Sequence, residues 1–337
     1  LNDHFTTPKT MKSVIHRRIR ATLLEQGSST KVELSDALGI SFPTISKFLS
    51  KMEKEGEIIS VGLDQSSGGR RAKRYAYNPE HMLGLAIFLE RTETNFSIFN
   101  CLGKVKEQSK TNSVDNIDKL TKLIEGIFLK YPKISSIAIG VPGSVDNGRV
   151  FFIPDYEYFQ DVDLKKYFED YFSIPVVVEN DMNAAVLGYY KYKAIKEDQS
   201  MIYLSYGQNG PGSGILINGK VVRGSTFFSG EVSFVPLYDN HNFLQEIGNK
   251  SKSFHEDNQI DAVARLIASV TAIINPHTFI FCNDEVTTSI IEKITLSSSK
   301  YIPREHLPEI KMSEWKQDYL HGLQSLGIDL MISNTSM

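Results

Sequence analysis

The chain has 337 residues, 41% of them hydrophobic and 23% charged, which suits two or three domains and excludes disorder as the main state. Two cysteines, Cys101 and Cys282, cannot build a disulfide framework or a four-cysteine zinc site. No apolar stretch reaches the roughly 20 residues of a membrane span, and the first residues hold no apolar signal core, so a cytoplasmic protein without a membrane partner is expected.

The net charge of −3 hides an asymmetry. Residues 1–80 hold 13 Lys and Arg against 9 Asp and Glu, whereas the remainder holds 24 against 31. A basic segment on an acidic body predicts an anionic partner for the first segment only. Its densest cluster is Arg70-Arg71-Ala72-Lys73-Arg74.

Apolar spacing predicts a helix from Met11 to Gln26. A second, over Lys31–Leu38, has Thr30 as its cap and Gly39 at its left-handed end. A third runs from Phe42 to about Glu55, with Ser41 as cap and Pro43 in the first turn. Its Ile45, Phe48, Leu49 and Met52 face inward, and Thr44, Lys47, Lys51 and Lys54 recur on the other side. Two short helices joined through a glycine turn make a helix-turn-helix whose second helix reads DNA. A strand ending at Leu63, a basic Gly/Ser loop and a return strand at Tyr75-Ala76-Tyr77 complete a winged form. The candidate DNA contacts are therefore Thr44, Lys47, Lys51, Arg70, Arg71, Lys73 and Arg74. The competing expectation is a small domain used only for protein contacts.

Asn78-Pro79 marks a boundary, and strands begin. Leu83–Leu89, Asn95–Asn100 and Val105–Lys110 are three in succession, followed by a helix over Asn116–Lys130 and a buried strand over Ile134–Val141. A helix at Leu164–Tyr171, a strand at Pro175–Glu179 and a helix at Asn183–Tyr192 follow. Then come a strand at Met201–Ser205, a Gly-rich loop, a hairpin turning at Asn218-Gly219 and a helix over Ile260–Ile274. Strands mixed with helices predict an α/β body of two lobes. The expected domains are 1–80, the winged helix-turn-helix; 81–195, the first lobe; and 196–337, the second lobe, whose last helix is placed to return to the first.

The order of these elements resembles the hexokinase/actin-like fold. Ile139-Gly140-Val141-Pro142-Gly143, Glu179-Asn180-Asp181-Met182-Asn183-Ala184-Ala185, Ile215–Gly219, Arg223-Gly224 and Gly230-Glu231 stand in order behind the winged helix. Together they resemble the ROK family of sugar-responsive repressors and sugar kinases, over nearly the whole chain. The resemblance implies that Asp181, beside Asn180, is the sugar-contacting carboxylate and, in kinases, the general base; Glu231 would be a second sugar contact. It also exposes losses. The histidine expected after Gly230-Glu231 is absent, Val232-Ser233-Phe234 standing in its stretch. No cysteine lies between Phe234 and Asn275 to build the family's zinc site. The Asp-x-Gly-x-Thr phosphate loop of the kinases corresponds to Ala86–Thr92, without glycine or aspartate. Pro211 interrupts the second phosphate loop, and Cys282-Asn283 replaces a Gly-Gly.

The expected function is a non-enzymatic transcription regulator of the repressor type, without metal or cofactor. Asn180, Asp181 and Glu231 are left as a vestigial sugar pocket, and a homodimer is expected, with Ile260, Val263, Leu266, Ile267 and Val270 as candidate apolar surface. The alternative is an antirepressor of the kind that serves antibiotic resistance, its body binding another repressor protein and its DNA binding weak or non-specific.

Overall fold

The computed structural model describes residues 8–63, 71–153, 156–193, 195, 198–207, 210–248 and 257–333. The N-terminal unit comprises α1 (Pro8–Gln26), β1 (Ser29–Thr30), α2 (Lys31–Leu38), α3 (Phe42–Lys54), β2 (Ile58–Leu63) and β3 (Lys73–Tyr77), with strand order β1-β3-β2. Thr30 and Glu33 form a full capping box on α2, and Gly39 ends it at φ 64°. Ser41 does not cap α3 as expected: its hydroxyl pairs with Thr44 Oγ1 at 2.9 Å, beside Pro43, which brings no N–H. Ile19, Leu23, Leu34, Ile45, Leu49 and Met52 close the small core.

Each body lobe is built on one five-stranded sheet. The first sheet contains β4 (Leu83–Leu89), β5 (Glu93–Asn100), β6 (Val105–Asn112), β7 (Ile134–Val141) and β8 (Val176–Asn180), in the order β8-β7-β4-β5-β6. The second contains β9 (Met201–Ser205), β10 (Gly212–Ile217), β11 (Lys220–Val221), β12 (Thr278–Cys282) and β13 (Glu309–Ser313), in the order β11-β10-β9-β12-β13. In both sheets three strands run parallel and two fold back as an antiparallel meander. Asn218 and Gly219, at φ 49° and 73°, make the tight turn their sequence promised.

The helices are α4 (Ile117–Lys130), α5 (Leu164–Phe172), α6 (Asp181–Tyr192), α7 (Phe243–Ile247), α8 (Asp257–Ile274), α9 (Thr288–Ser298) and α10 (Trp315–Ser333). None of the helices among the described residues is long and apolar enough to cross a membrane. The apolar face of α8 is not an outer surface. Ile260, Val263, Leu266 and Ile267 are buried, and Val270 packs against the same core with Phe279, Phe281 and Ile294. The stripe proposed for dimer contact is the lobe's own core, because α8 needs that face to cover its sheet.

The final helix crosses back to the first lobe. It lies against α6, β4 and β7, and Ser136 Oγ donates to the Gly327 carbonyl at 2.9 Å. Helices α6 and α10 meet backbone to backbone. A Cβ on Gly188 would stand 1.8 Å from the Asp318 carbonyl oxygen, and one on Gly322 would stand 1.9 Å from that of Ala184. The far end of α10 meets the winged helix. Arg20 of α1 donates to the Met331 carbonyl at 3.0 Å and to Glu57 at 2.9 Å, and His16 holds the other Glu57 oxygen at 2.5 Å, all three side chains buried. These charge-assisted bonds hold the Glu57 carboxyl below its ordinary range, against the opposing effect of burial.

The helix contact sets a test. Gly322→Ala forces a methyl into a backbone and should destabilise the body by about 3 kcal/mol. Gly126→Ala, on a helix with open space around it, should be neutral or stabilising by about 0.5 kcal/mol. Urea midpoints of the two variants check both values.

Candidate functional site

Two regions collect the candidate residues. The first is α3 and the wing. Ser41, Phe42, Pro43, Lys47, Ser50, Lys51 and Lys54 are exposed along α3, and Thr44 is half-buried at its start. Arg71 is exposed beside β3, and Arg70 lies outside the described residues. Three of the other candidate cations are already engaged. Lys73 pairs with Glu53 at 2.5 Å; Arg74 reaches Glu33 and donates to the Ser28 carbonyl at 3.0 Å; Lys51 lies 3.7 Å from Glu55. Arg74 thus ties the wing to α2, a structural task that its place in a basic run did not reveal. Phe42, which sequence reasoning did not single out, is 49% exposed at the start of α3.

The second region is a cleft of about 620 Å³ between the lobes. It is lined from the C-terminal ends of all six parallel strands: Leu89 of β4, Gly143 after β7, Asn180 of β8, Ser205 of β9, Cys282 of β12 and Glu314 after β13. Loops at those ends are where α/β sheets place ligands. All three expected pocket residues line it, but they are not equivalent. Asn180 is the cap of α6: its side-chain oxygen accepts from Asn183 N, and its amide donates to the Gly143 carbonyl and to Asp181, each at 3.0 Å. Asp181 therefore does not serve as the cap. It faces the cleft, and burial together with the nearby Glu231 pushes its carboxyl up to about 7. Burial also raises Glu231, to which the Ser144 hydroxyl donates at 3.4 Å.

Phe234 stands 60% exposed at the rim, its ring centroid 5.2 Å from that of Phe228. Among the described residues, one group of possible metal ligands lies on the cleft wall: Cys282, Asp284 and Glu285. It fits a cation poorly, because burial pushes the Cys282 thiol far above its usual range and disfavours the thiolate that metals require.

The two phosphate-loop stretches have a different chemistry from the one phosphate needs. At the first, Glu90 N donates to the Glu93 carbonyl at 2.9 Å, closing a tight turn, and Lys316 of α10 bridges both carboxylates at 2.9 Å. At the start of the second, Glu285 takes two backbone donors and a hydroxyl: its Oε1 accepts from Tyr206 N at 2.8 Å, Gly207 N at 3.2 Å and Ser205 Oγ at 2.8 Å. Glu285 was not among the expected residues, since nothing near Cys282-Asn283 distinguishes it from a surface acid. It is 7% exposed, and burial pushes its carboxyl up to about 7.

Residues 85–243 match the ROK family and residues 13–58 the winged helix-turn-helix DNA-binding family. The xylose repressor of Bacillus spizizenii is 27% identical over 237 residues, 67% of this chain and 61% of that protein; this chain thus spans under two thirds of the repressor's length. The glucokinase of Streptomyces coelicolor is 35% identical over 127 residues, 37% of this chain and 39% of its own. Among solved structures, a ROK family transcriptional regulator, a homolog of the E. coli MLC protein, superposes with a TM-score of 0.67 at 18% identity, over 94% of this chain and 99% of that one.

Glu285 yields a pH test. Its folded pKa lies above its unfolded one, so its contribution to stability is present below about pH 4.5 and lost as pH rises through about 7. Glu285→Gln removes that loss. The variant should match the wild type at pH 4.5 and exceed it by about 2 kcal/mol at pH 8, as read from urea midpoints at both pH values.

Proposed function

Because the chain carries a ROK family domain behind a winged helix-turn-helix, we propose that it is a DNA-binding transcription regulator of the repressor type, working in the cytoplasm without catalysing phosphoryl transfer. The carrying observation is the reader helix: a winged helix is clamped to the body through Arg20, and the polar face of α3 is turned outward. Two-fold pairing of the body would present two such helices to two half-sites.

Three features support a regulator over a kinase. Carboxylates line the first phosphate stretch; Glu285 holds two backbone donors at the start of the second; and Pro211 lacks an N–H. Phosphoryl transfer depends on donors and cations placed around the phosphates. One further feature weighs against a neutral sugar: the Asn180 amide donates to the Gly143 carbonyl and to Asp181, and its oxygen caps α6.

A second reading, the antirepressor that binds another repressor protein, is favoured by one observation. Lys51, Lys73 and Arg74 are paired with Glu55, Glu53 and Glu33, which lowers the charge the wing offers to phosphate. DNA affinity then rests on cations such as Lys47, Lys54 and Arg71, all exposed and in none of the ion pairs found among the described residues.

The test separates the cations. Lys47→Ala and Arg71→Ala should each weaken binding to all duplexes alike and reduce the slope of log affinity on log salt by about 0.9. Lys73→Ala should leave the slope near the wild-type value. Fluorescence anisotropy at several salt concentrations measures all three. A wild-type chain that binds no duplex at low salt would overturn the DNA-binding reading and leave the antirepressor.

A further inference from the structure

Three carboxylates of the winged helix stand on three of its candidate DNA cations, and the three pairs differ. Lys51 and Glu55 lie one turn apart on α3 at 3.7 Å, with side chains 53% and 46% exposed; so open a pair is loose. Arg74 is held twice, by Glu33 at 3.1 Å and by the Ser28 carbonyl at 3.0 Å, so it keeps an anchor without Glu33. Lys73 is held once. Its ammonium donates to Glu53 Oε1 at 2.5 Å and has no other hydrogen-bond partner among the described residues. The hydrogen bond to Glu53 holds that ammonium above its ordinary range, so it stays charged.

The pair joins the reader helix to the wing. Glu53 belongs to α3, and Lys73 opens β3 opposite Leu63, the last residue of β2, two positions after the exposed Arg71. A recognition helix enters the major groove while flanking groups meet the backbone, so a cation between the two elements stands where phosphate passes. The Lys73 and Glu53 side chains are 41% and 37% exposed. Phosphate can reach the ammonium from solvent, and an exposed pair costs little to open. Glu57 is the contrast: its carboxylate is buried between His16 and Arg20 and is closed to any such exchange.

Carboxylate and phosphate ask the same of an ammonium, a hydrogen bond to an anionic oxygen. With Glu53 beside it, Lys73 brings no net charge to a duplex and displaces no counterion from it. We propose that Glu53 is an internal competitor with DNA phosphate for Lys73. It keeps the sequence-independent part of the affinity low, and base contacts from α3 then decide where the chain binds. This inference rests on the DNA-binding reading and adds to it the residue that limits the affinity.

The experiment is fluorescence anisotropy of the full chain on several unrelated duplexes, at salt concentrations from about 50 to about 200 mM. It compares wild type, Glu53→Gln, Lys73→Ala and the double variant. Gln keeps the size of the side chain and its acceptor and removes the charge. Glu53→Gln should bind all the duplexes more tightly and steepen the slope of log affinity on log salt by about 0.9. Its advantage over wild type should therefore shrink about threefold across that salt range. Adding Lys73→Ala should return the slope to the wild-type value, which a merely structural role for Glu53 would not do. Melting temperatures establish that the variants fold. The proposal is overturned if Glu53→Gln has the wild-type slope. It is overturned as well if the slope steepens equally without Lys73, which marks the loss of a negative charge and not the release of a cation. Where wild type binds and Glu53→Gln gains nothing, this inference falls alone; where neither binds any duplex at low salt, the DNA-binding reading falls with it.

Discussion

The backbone contact between α6 and α10 is the constraint on which the rest of the architecture hangs. Gly188 and Gly322 let the two helices approach until a single methyl on either would meet a carbonyl oxygen. That approach pins the last helix of the chain to the first lobe, under β4 and β7. It also fixes what sits at each end of α10. At the start, Trp315 and Lys316 form part of the cleft wall; at the finish, the Met331 carbonyl receives Arg20 from α1. A 19-residue helix thus runs from the cleft to the winged helix, with buried bonds at the latter end.

Electrostatics gives the cleft its character. A kinase of this architecture would present backbone donors and cations to phosphate. Here Glu285 caps the donors of one loop, and Glu90 and Glu93 occupy the other with Lys316 between them. Each of these carboxylates is satisfied by groups of the protein itself.

Much of this was legible in the sequence, because the signals were local. The cap at Thr30, the left-handed Gly39, the Asn218-Gly219 turn and the buried strands Leu83–Leu89 and Ile134–Val141 all follow from residue chemistry within a few positions. What was hidden depends on distant partners. Arg74 reads as a wing cation until Glu33 and Ser28, 41 and 46 residues away, are found beside it. The apolar stripe of α8 suits a core or a dimer surface equally, and only its neighbours decide. Asp181 stood out through a motif, whereas Glu285 became visible only when the end of β12 was brought against Tyr206 and Gly207.

The reading proposed for the body is a kinase-like frame without phosphate chemistry. Calorimetric titration of the full chain with Mg-ATP, in the presence and absence of glucose, tests it most directly. The account predicts no heat of binding up to millimolar nucleotide. Saturable binding with a micromolar dissociation constant would contradict it.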